Sequence, residues 1–192
     1  TIAASTTPAL SNNASAITLG GGNLIEYFAI TNATGSAILG NAAGSGTSTI
    51  HDITVTDGAN AGNGVNITAN VGTLNFSNLI VTTSSGNGFV ATGGGTLNVT
   101  TGSSFNALTS ASGIALKVAN TTIGVSGLTF RSISAGNAAG TAGDGIILDT
   151  TGANGGLTVT GNGAAGTGGT IQHKTGGDLD RNNGIGIYLN NT

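Results

Sequence analysis

The side chains able to do acid–base or metal chemistry are few. The carboxylates are Glu26, Asp52, Asp57, Asp144, Asp149, Asp178 and Asp180, and the imidazoles are His51 and His173. Only Asp178-Leu179-Asp180-Arg181 brings charges together along the chain. Calcium prefers carboxylates and backbone carbonyls. Asp178 and Asp180, with Asp144 and Asp149 a repeat away, are therefore the candidate Ca2+ ligands, and Ca2+ is the one cofactor this sequence admits. Three uses of the cluster stay open: a solvated loop, a calcium or salt-bridge staple, and a catalytic pair. Charge runs are usually solvated. The stretch Thr175–Asn183 reads as an inserted loop, and precise chemistry favours rigid elements, so catalysis ranks last.

The remaining chemistry is thinner. His51 and His173 stand alone in their segments, about five rungs apart at about 4.8 Å per rung, too far to share an ion. With Ser and Thr everywhere and two histidines, no Ser-His-Asp arrangement can be singled out. Gly20-Gly21-Gly22 and Gly93-Gly94-Gly95 have no following Lys or helix, so they are corners rather than phosphate loops. Thr-x-Thr pairs at Thr54/Thr56 and Thr158/Thr160 are of the kind that orders ice when repeated on successive rungs. Matching them to Leu79–Thr82 and Leu128–Ile133 breaks the ladder.

Composition removes whole classes of function. Of 192 residues only 6% are charged, against roughly a quarter in ordinary globular proteins. Lys and Arg total 4, with a net charge of −3. That is too little basic charge for a phosphate-neutralising surface or an anionic-membrane patch, so neither nucleic acid nor a membrane is an expected partner. No apolar run approaches the roughly 20 residues of a spanning helix. Cys is absent, which removes disulfides and thiolate metal sites and suits a protein exported from a bacterium. The chain opens at Thr1 without an initiator Met or signal peptide, and reads as a segment of something longer. A mean hydropathy of +0.24 argues against disorder, because Ile, Leu and Val recur at regular places.

Those places define a repeat. Gly64-Val65-Asn66-Ile67-Thr68, Thr73-Leu74-Asn75-Phe76-Ser77 and Asn78-Leu79-Ile80-Val81-Thr82 each alternate apolar and polar residues, the period of a strand. First strands start near Ile17, Ala37, Val65, Phe89, Ile114, Ile146 and Ile185. Second strands are Leu24–Phe28, Thr49–Ile53, Leu74–Phe76, Leu97–Val99, Ile123–Val125 and Leu157–Val159. Third strands are Ala29–Thr31, Thr54–Thr56, Leu79–Thr82, Phe105–Leu108, Leu128–Ile133 and Thr170–Gln172. Ala- and Gly-rich insertions fall at Asn41–Ser48, Ala135–Gly143 and Gly161–Gly169. The compact period of about 24 residues predicts a solenoid coil of three short strands. The expected fold is all-β: a right-handed single-stranded parallel β-helix of about six to seven three-strand rungs over residues 16–192. Residues 1–15, with the only Pro at Pro8, form an N-terminal extension or cap. An up-and-down antiparallel barrel is the structural alternative. No run of ten residues carries helical periodicity.

Gly169-Thr170-Ile171-Gln172, the Gly-Ile-x-Leu string Gly145–Leu148 with its variant Gly184–Leu189, and Leu157-Thr158-Val159-Thr160-Gly161 resemble repeats of large bacterial right-handed β-helix proteins, autotransporter-like passengers and long surface adhesins. The resemblance covers most of residues 16–192 and implies export and an extracellular or cell-surface location. It names no ligand. Right-handed β-helices also include polysaccharide lyases and hydrolases, but the adjacent Asp pairs followed by Gly-His of polygalacturonase-like enzymes are absent. A lyase-like calcium cluster has no nearer counterpart than Asp178–Arg181. The expected function is structural and adhesive: a rigid stalk presenting polar loops to a glycan or protein receptor, with no catalytic residue. The alternatives are a fibre subunit pairing end to end through open solenoid ends, and a carbohydrate-active enzyme.

Overall fold

The computed structural model describes residues 9–11, 14–41, 44–57, 62–137, 139–177 and 183–192. Their regular structure is sixteen strands: β1 (Ala9–Ser11), β2 (Ser15–Thr18), β3 (Leu24–Thr31), β4 (Ser36–Asn41), β5 (Thr47–Asp57), β6 (Val65–Thr68), β7 (Thr73–Thr83), β8 (Phe89–Thr92), β9 (Thr96–Thr100), β10 (Ala107–Ser110), β11 (Leu116–Ala119), β12 (Thr122–Phe130), β13 (Ser132–Ala135), β14 (Ile146–Asp149), β15 (Leu157–Val159) and β16 (Ile187–Asn190). No helix occurs among the described residues.

The strands form two parallel sheets. One has seven strands in the order β2-β4-β6-β8-β11-β14-β16, and the other has nine, following β1-β3-β5-β7-β9-β12-β15, with β10 and β13 continuing from β7. The chain passes between the sheets at each turn, so every strand lies beside its counterpart one turn away. That is a parallel β-solenoid. All the pairings are parallel, as in Val65 opposite Phe89 and Phe89 opposite Leu116, which excludes the antiparallel barrel.

Alternation decides what the coil buries. In the seven-stranded sheet Ile38, Val65, Phe89, Leu116 and Ile146 stack in register and are buried. In the other sheet Leu10, Ile30, Val55, Val81, Leu108 and Ile133 stack in the same way. Each fully buried Ile, Leu, Val or Phe contributes roughly 1.5–3 kcal/mol. Phe76 and Phe89 meet across the interior in a T-shaped contact, ring centroids 5.2 Å apart. Ile187 and Leu189 continue the inward columns past Ile146 and Leu148 and are 55% and 60% exposed.

Two corners are made by the backbone. Ala69, Gly93, Asn120, Thr150 and Asn191 each follow the last residue of a strand in the seven-stranded sheet, and all have positive φ. Gly93 is the one glycine of this row, and the middle of the Gly-rich string that follows (Gly94, φ 124°) lies where only glycine is comfortable. The second corner, at Tyr27, Asp52 and Asn78 (φ 62°, 55° and 52°), lies inside β3, β5 and β7 and bends them without breaking them. Second and third strands are therefore single long strands at these three levels, as the near-unbroken run from Leu24 to Thr31 and from Thr49 to Thr56 suggests for the first two, and in place of the separate strands expected at Leu74–Phe76 and Leu79–Thr82 for the third.

Other boundaries also shift. The first strands expected at Ile114 and Ile185 begin at Leu116 and Ile187. The third strand expected at Leu128–Ile133 is Ser132–Ala135: Leu128 belongs to β12, opposite Val99 and Leu157 across a bulge that leaves Val125 85% exposed. Phe105 precedes β10 and holds Arg131 over its ring, 3.0 Å from the guanidinium carbon to the centroid. Thr47 and Ser48, expected in an insertion, belong to β5. Ala9–Ser11, within the stretch assigned to an extension, pairs with Ala29–Thr31 as the first strand of the nine-stranded sheet. Thr1–Pro8 lie outside the described residues.

Candidate functional site

The bend inside β3, β5 and β7 is where titratable side chains meet. Strand register places Glu26 opposite His51, both facing outward. His51 Nε2 lies 3.0 Å from a Glu26 carboxylate oxygen, and Nδ1 lies 2.6 Å from Asp52 Oδ2. Each ring nitrogen of His51 thus has a carboxylate partner. The Tyr27 ring stands edge-on to the His51 ring, centroids 5.6 Å apart and planes at 84°. Asn78 Nδ2 donates to Asp52 Oδ1 at 2.8 Å and to Ser103 Oγ at 3.2 Å, and the Ser104 N–H donates to Asn78 Oδ1 at 2.9 Å. His51 is thus not alone, as its segment suggests. Its partners come from the neighbouring turn and from the next residue.

This geometry limits the chemistry. A Ser-His-Asp relay needs a free imidazole nitrogen facing a hydroxyl, and Glu26 occupies that nitrogen. Glu26 and Asp52 approach opposite sides of one ring, so their oxygens do not converge, and among the described residues no three His, Asp or Glu side chains form a group that could hold a metal ion. What remains is a fixed set of hydrogen-bonding groups beside an exposed aromatic ring. Tyr27, Phe28, Asp52, Thr54, Asn78, Ile80 and Ser104 line a shallow groove along this corner.

Tyr27 is unusual there. Positive φ costs a residue with a side chain roughly 1–2 kcal/mol. Asp and Asn, at the equivalent positions 52 and 78, are the side chains that best tolerate it, whereas a bulky ring is an outlier. Such strain tends to sit at functional positions.

Of the four calcium candidates, Asp178 and Asp180 lie outside the described residues. Asp144 and Asp149 share a groove on the seven-stranded sheet with Lys117, Asn120, Ile147 and Tyr188. Asp144 is buried, and its Oδ1 accepts the Ile185 N–H at 2.8 Å. Asp149 Oδ1 accepts from Asn190 Nδ2 at 2.9 Å and from Thr150 Oγ1 at 3.0 Å. Both carboxylates thus receive donors from the chain that forms β16. Nearby, Lys174 Nζ donates to the Gly113 carbonyl and to Thr141 Oγ1, each at 3.2 Å. Burial pushes the Lys174 ammonium below its ordinary range, opposed by the Asp144 charge. His173 is exposed at a positive-φ position.

The observed register keeps the match of Thr54/Thr56 to Leu79–Thr82 and the break in the Thr-x-Thr pair, and corrects only the match to Leu128–Ile133. Thr54/Thr56 lie opposite Ile80/Thr82, then Ala107/Thr109, then Ser132/Ser134. The first position varies, but the second does not. Ser11, Thr31, Thr56, Thr82, Thr109 and Ser134 are successive partners. The bridge between Ala135 and Ile171 brings Thr170 next in line, its N–H 3.2 Å from Ser134 Oγ. The result is an unbroken outward column of hydroxyls beside the groove. Its legible signal was the invariant hydroxyl after each third-strand apolar residue. It falls at Thr109 and Ser134, beyond the third strands expected at Phe105–Leu108 and Leu128–Ile133. Comparison with family models, with curated proteins and with solved structures finds no match to this chain.

Proposed function

We propose that this chain is a structural and adhesive segment of an exported bacterial surface or extracellular protein, a rigid rod that binds its receptor through neutral hydrogen-bonding surfaces and polar loops. The observation that carries the proposal is the pair of columns in the nine-stranded sheet. The apolar column from Leu10 to Ile133 stacks without interruption inside, and a column of hydroxyls runs beside it outside. Such a body is stiff along its axis and offers the same uncharged surface turn after turn. Connections between parallel strands of one sheet are almost always right-handed, which supports a right-handed coil. A non-enzymatic role is favoured by the tied-up carboxylates at His51 and by the donors that engage Asp144 and Asp149. Export and the cell surface rest on the resemblance to surface β-helix repeats.

A second reading, end-to-end assembly into a fibre, is favoured by apolar surface at both ends of the solenoid. Ile187 and Leu189 are exposed at one end, and an open depression lined by Leu10, Ile17, Ile25 and Phe28 lies at the other. Sedimentation and electron microscopy over a concentration series, with and without Ca2+, separate the readings. A short monomeric rod unchanged by Ca2+ supports the stalk. Filaments that lengthen with concentration favour the fibre, and a compact particle with lyase or hydrolase activity overturns both.

A further inference from the structure

We infer that the groove between the Tyr27–Asp52–Asn78 corner and the hydroxyl column is a binding site for an extended, neutral, β-linked polysaccharide lying along the solenoid axis. The inference deepens the adhesive reading by naming the surface and the ligand class, and it rests on that reading.

Four observations converge on it. First, the column Ser11, Thr31, Thr56, Thr82, Thr109, Ser134 and Thr170 is hydroxyl at every position, whereas Ser and Thr make up only about a quarter of the chain. The next outward column on the same strands is mixed: Ala29, Thr54, Ile80, Ala107 and Ser132. A general preference of strands for Thr would act on both. Second, Thr56, Thr82 and Thr109 are exposed, so at these three central levels the hydroxyls are open to solvent, whereas Ser134 Oγ takes the Thr170 N–H. Third, Thr54 and Ile80 of the mixed column form the floor of a shallow groove that Asp52, Asn78 and Ser104 also line. Fourth, the strained Tyr27 puts a 44% exposed ring at one end of that floor.

The chemistry matches one class of ligand. Parallel strands repeat at about 4.8 Å, so the column offers one hydroxyl per repeat along a straight line. An extended β-linked chain presents ring hydroxyls along a straight ribbon, with a period of similar size. A coiled α-linked glucan does not. Asp52 has both oxygens oriented by His51 and Asn78, so it is held as an acceptor for sugar O–H groups, and the chain's net charge of −3 disfavours anionic polymers. Aromatic rings with one polar end suit faces that are half apolar and half hydroxyl, as a pyranose is. Preorganised polar groups beside a shallow apolar floor are the ordinary composition of a small-molecule site, repeated here along an axis.

The test is retention of the purified chain on microcrystalline cellulose and on chitin, with amylose and alginate as controls, followed by titration with soluble cellohexaose. Wild type is expected on at least one β-linked solid and not on the controls. Replacing Thr56, Thr82 and Thr109 together with Val removes three hydroxyls at constant shape and should lower retention at least tenfold. Tyr27→Gly, which relieves the positive φ while deleting the ring, should weaken cellohexaose binding about tenfold, and Tyr27→Phe should not. Thr82→Val alone provides a graded check should the triple variant fold poorly. Retention on neither β-linked solid, equal retention of all variants, or preference for alginate overturns the proposal. So does ice-crystal shaping by wild type that the triple variant loses, since the column would then be ordering water. The rod is judged separately by scattering and sedimentation without ligand, so failure of the groove and failure of the stalk are distinguishable.

Discussion

Asn106 Oδ1 accepts the main-chain N–H of Leu79 at 2.8 Å, a bond that a neighbouring strand would otherwise supply. β7 is continuous through Leu79, but its neighbour is split into β9 and β10 by the excursion at residues 101–106. The Asn106 amide fills the gap. It also donates to the carbonyls of Thr100 and Thr129, each at 2.9 Å, so one buried side chain ties three turns together. Asn106→Leu keeps the branching at Cγ but leaves one N–H and two carbonyls without a partner. A buried unsatisfied group costs about 1–3 kcal/mol, so the variant should lose about 3 kcal/mol or more in urea unfolding. A loss below about 1 kcal/mol would mean that water takes over these bonds.

The corner at Ala69 makes a contrary prediction. Ala69 sits at φ 50° in a row with Gly93, Asn120, Thr150 and Asn191. Ala69→Gly relieves the left-handed strain of about 1–2 kcal/mol, partly offset by the greater freedom of Gly in the unfolded chain. The variant should be as stable as wild type or up to about 1 kcal/mol more stable. Ala69→Val should be less stable, because branching at Cβ aggravates positive φ. Thermal melting of the two variants decides it.

These corners also mark what a single sequence could reveal. Positions of apolar residues gave the inward columns, because strand alternation is local, and Val65, Phe89 and Ile146 begin strands where expected. The bend at Asp52 was not visible as a corner inside a strand, since positive φ leaves no compositional mark when Tyr27 shares the row with Asp and Asn. Alignment of Leu24–Phe28 with Thr49–Ile53 already set Glu26 opposite His51. The contact itself lies between turns, so neither segment alone shows it. The level of β12 carries no local mark of its register, because the four residues Gly124–Gly127 bulge opposite the single residue Asn98, a shift that depends on the neighbouring turn rather than on local pattern.

Lys174 carries a pH dependence. Its folded pKa lies below its ordinary value of 10.5, chiefly through burial. Between the depressed value and 10.5 the unfolded chain binds more protons at this site than the folded chain, so stability rises with pH across that window. Below the depressed value both states are protonated, and the cost of burying the charge is fully present. Relative to Lys174→Met, wild type should therefore gain stability as pH rises through the alkaline range just below 10.5. Matched unfolding curves for the two proteins at several pH values measure this. A difference independent of pH would place the Lys174 ammonium in solvent rather than against Gly113 and Thr141.

Phe76 and Phe89 test how far disturbance travels along the solenoid. Both rings are buried, at 1% and 0% exposure, and they belong to different sheets, so their contact joins the two sides of the coil. Phe76→Ala should cost about 3–5 kcal/mol. A double-mutant cycle with Leu at both positions should give a coupling of about 0.5–1.5 kcal/mol. In a solenoid each turn contacts only its neighbours, so stability is close to a sum of local terms. Hydrogen exchange in Phe76→Ala should then lose protection first at Val65–Thr68 and Phe89–Thr92, while Ile146–Asp149 stays near the wild-type rate. Uniform loss of protection from β4 to β14 would instead mean that the coil unfolds as one cooperative unit, and that the stiffness assigned to the rod comes from long-range coupling rather than from stacking of neighbours.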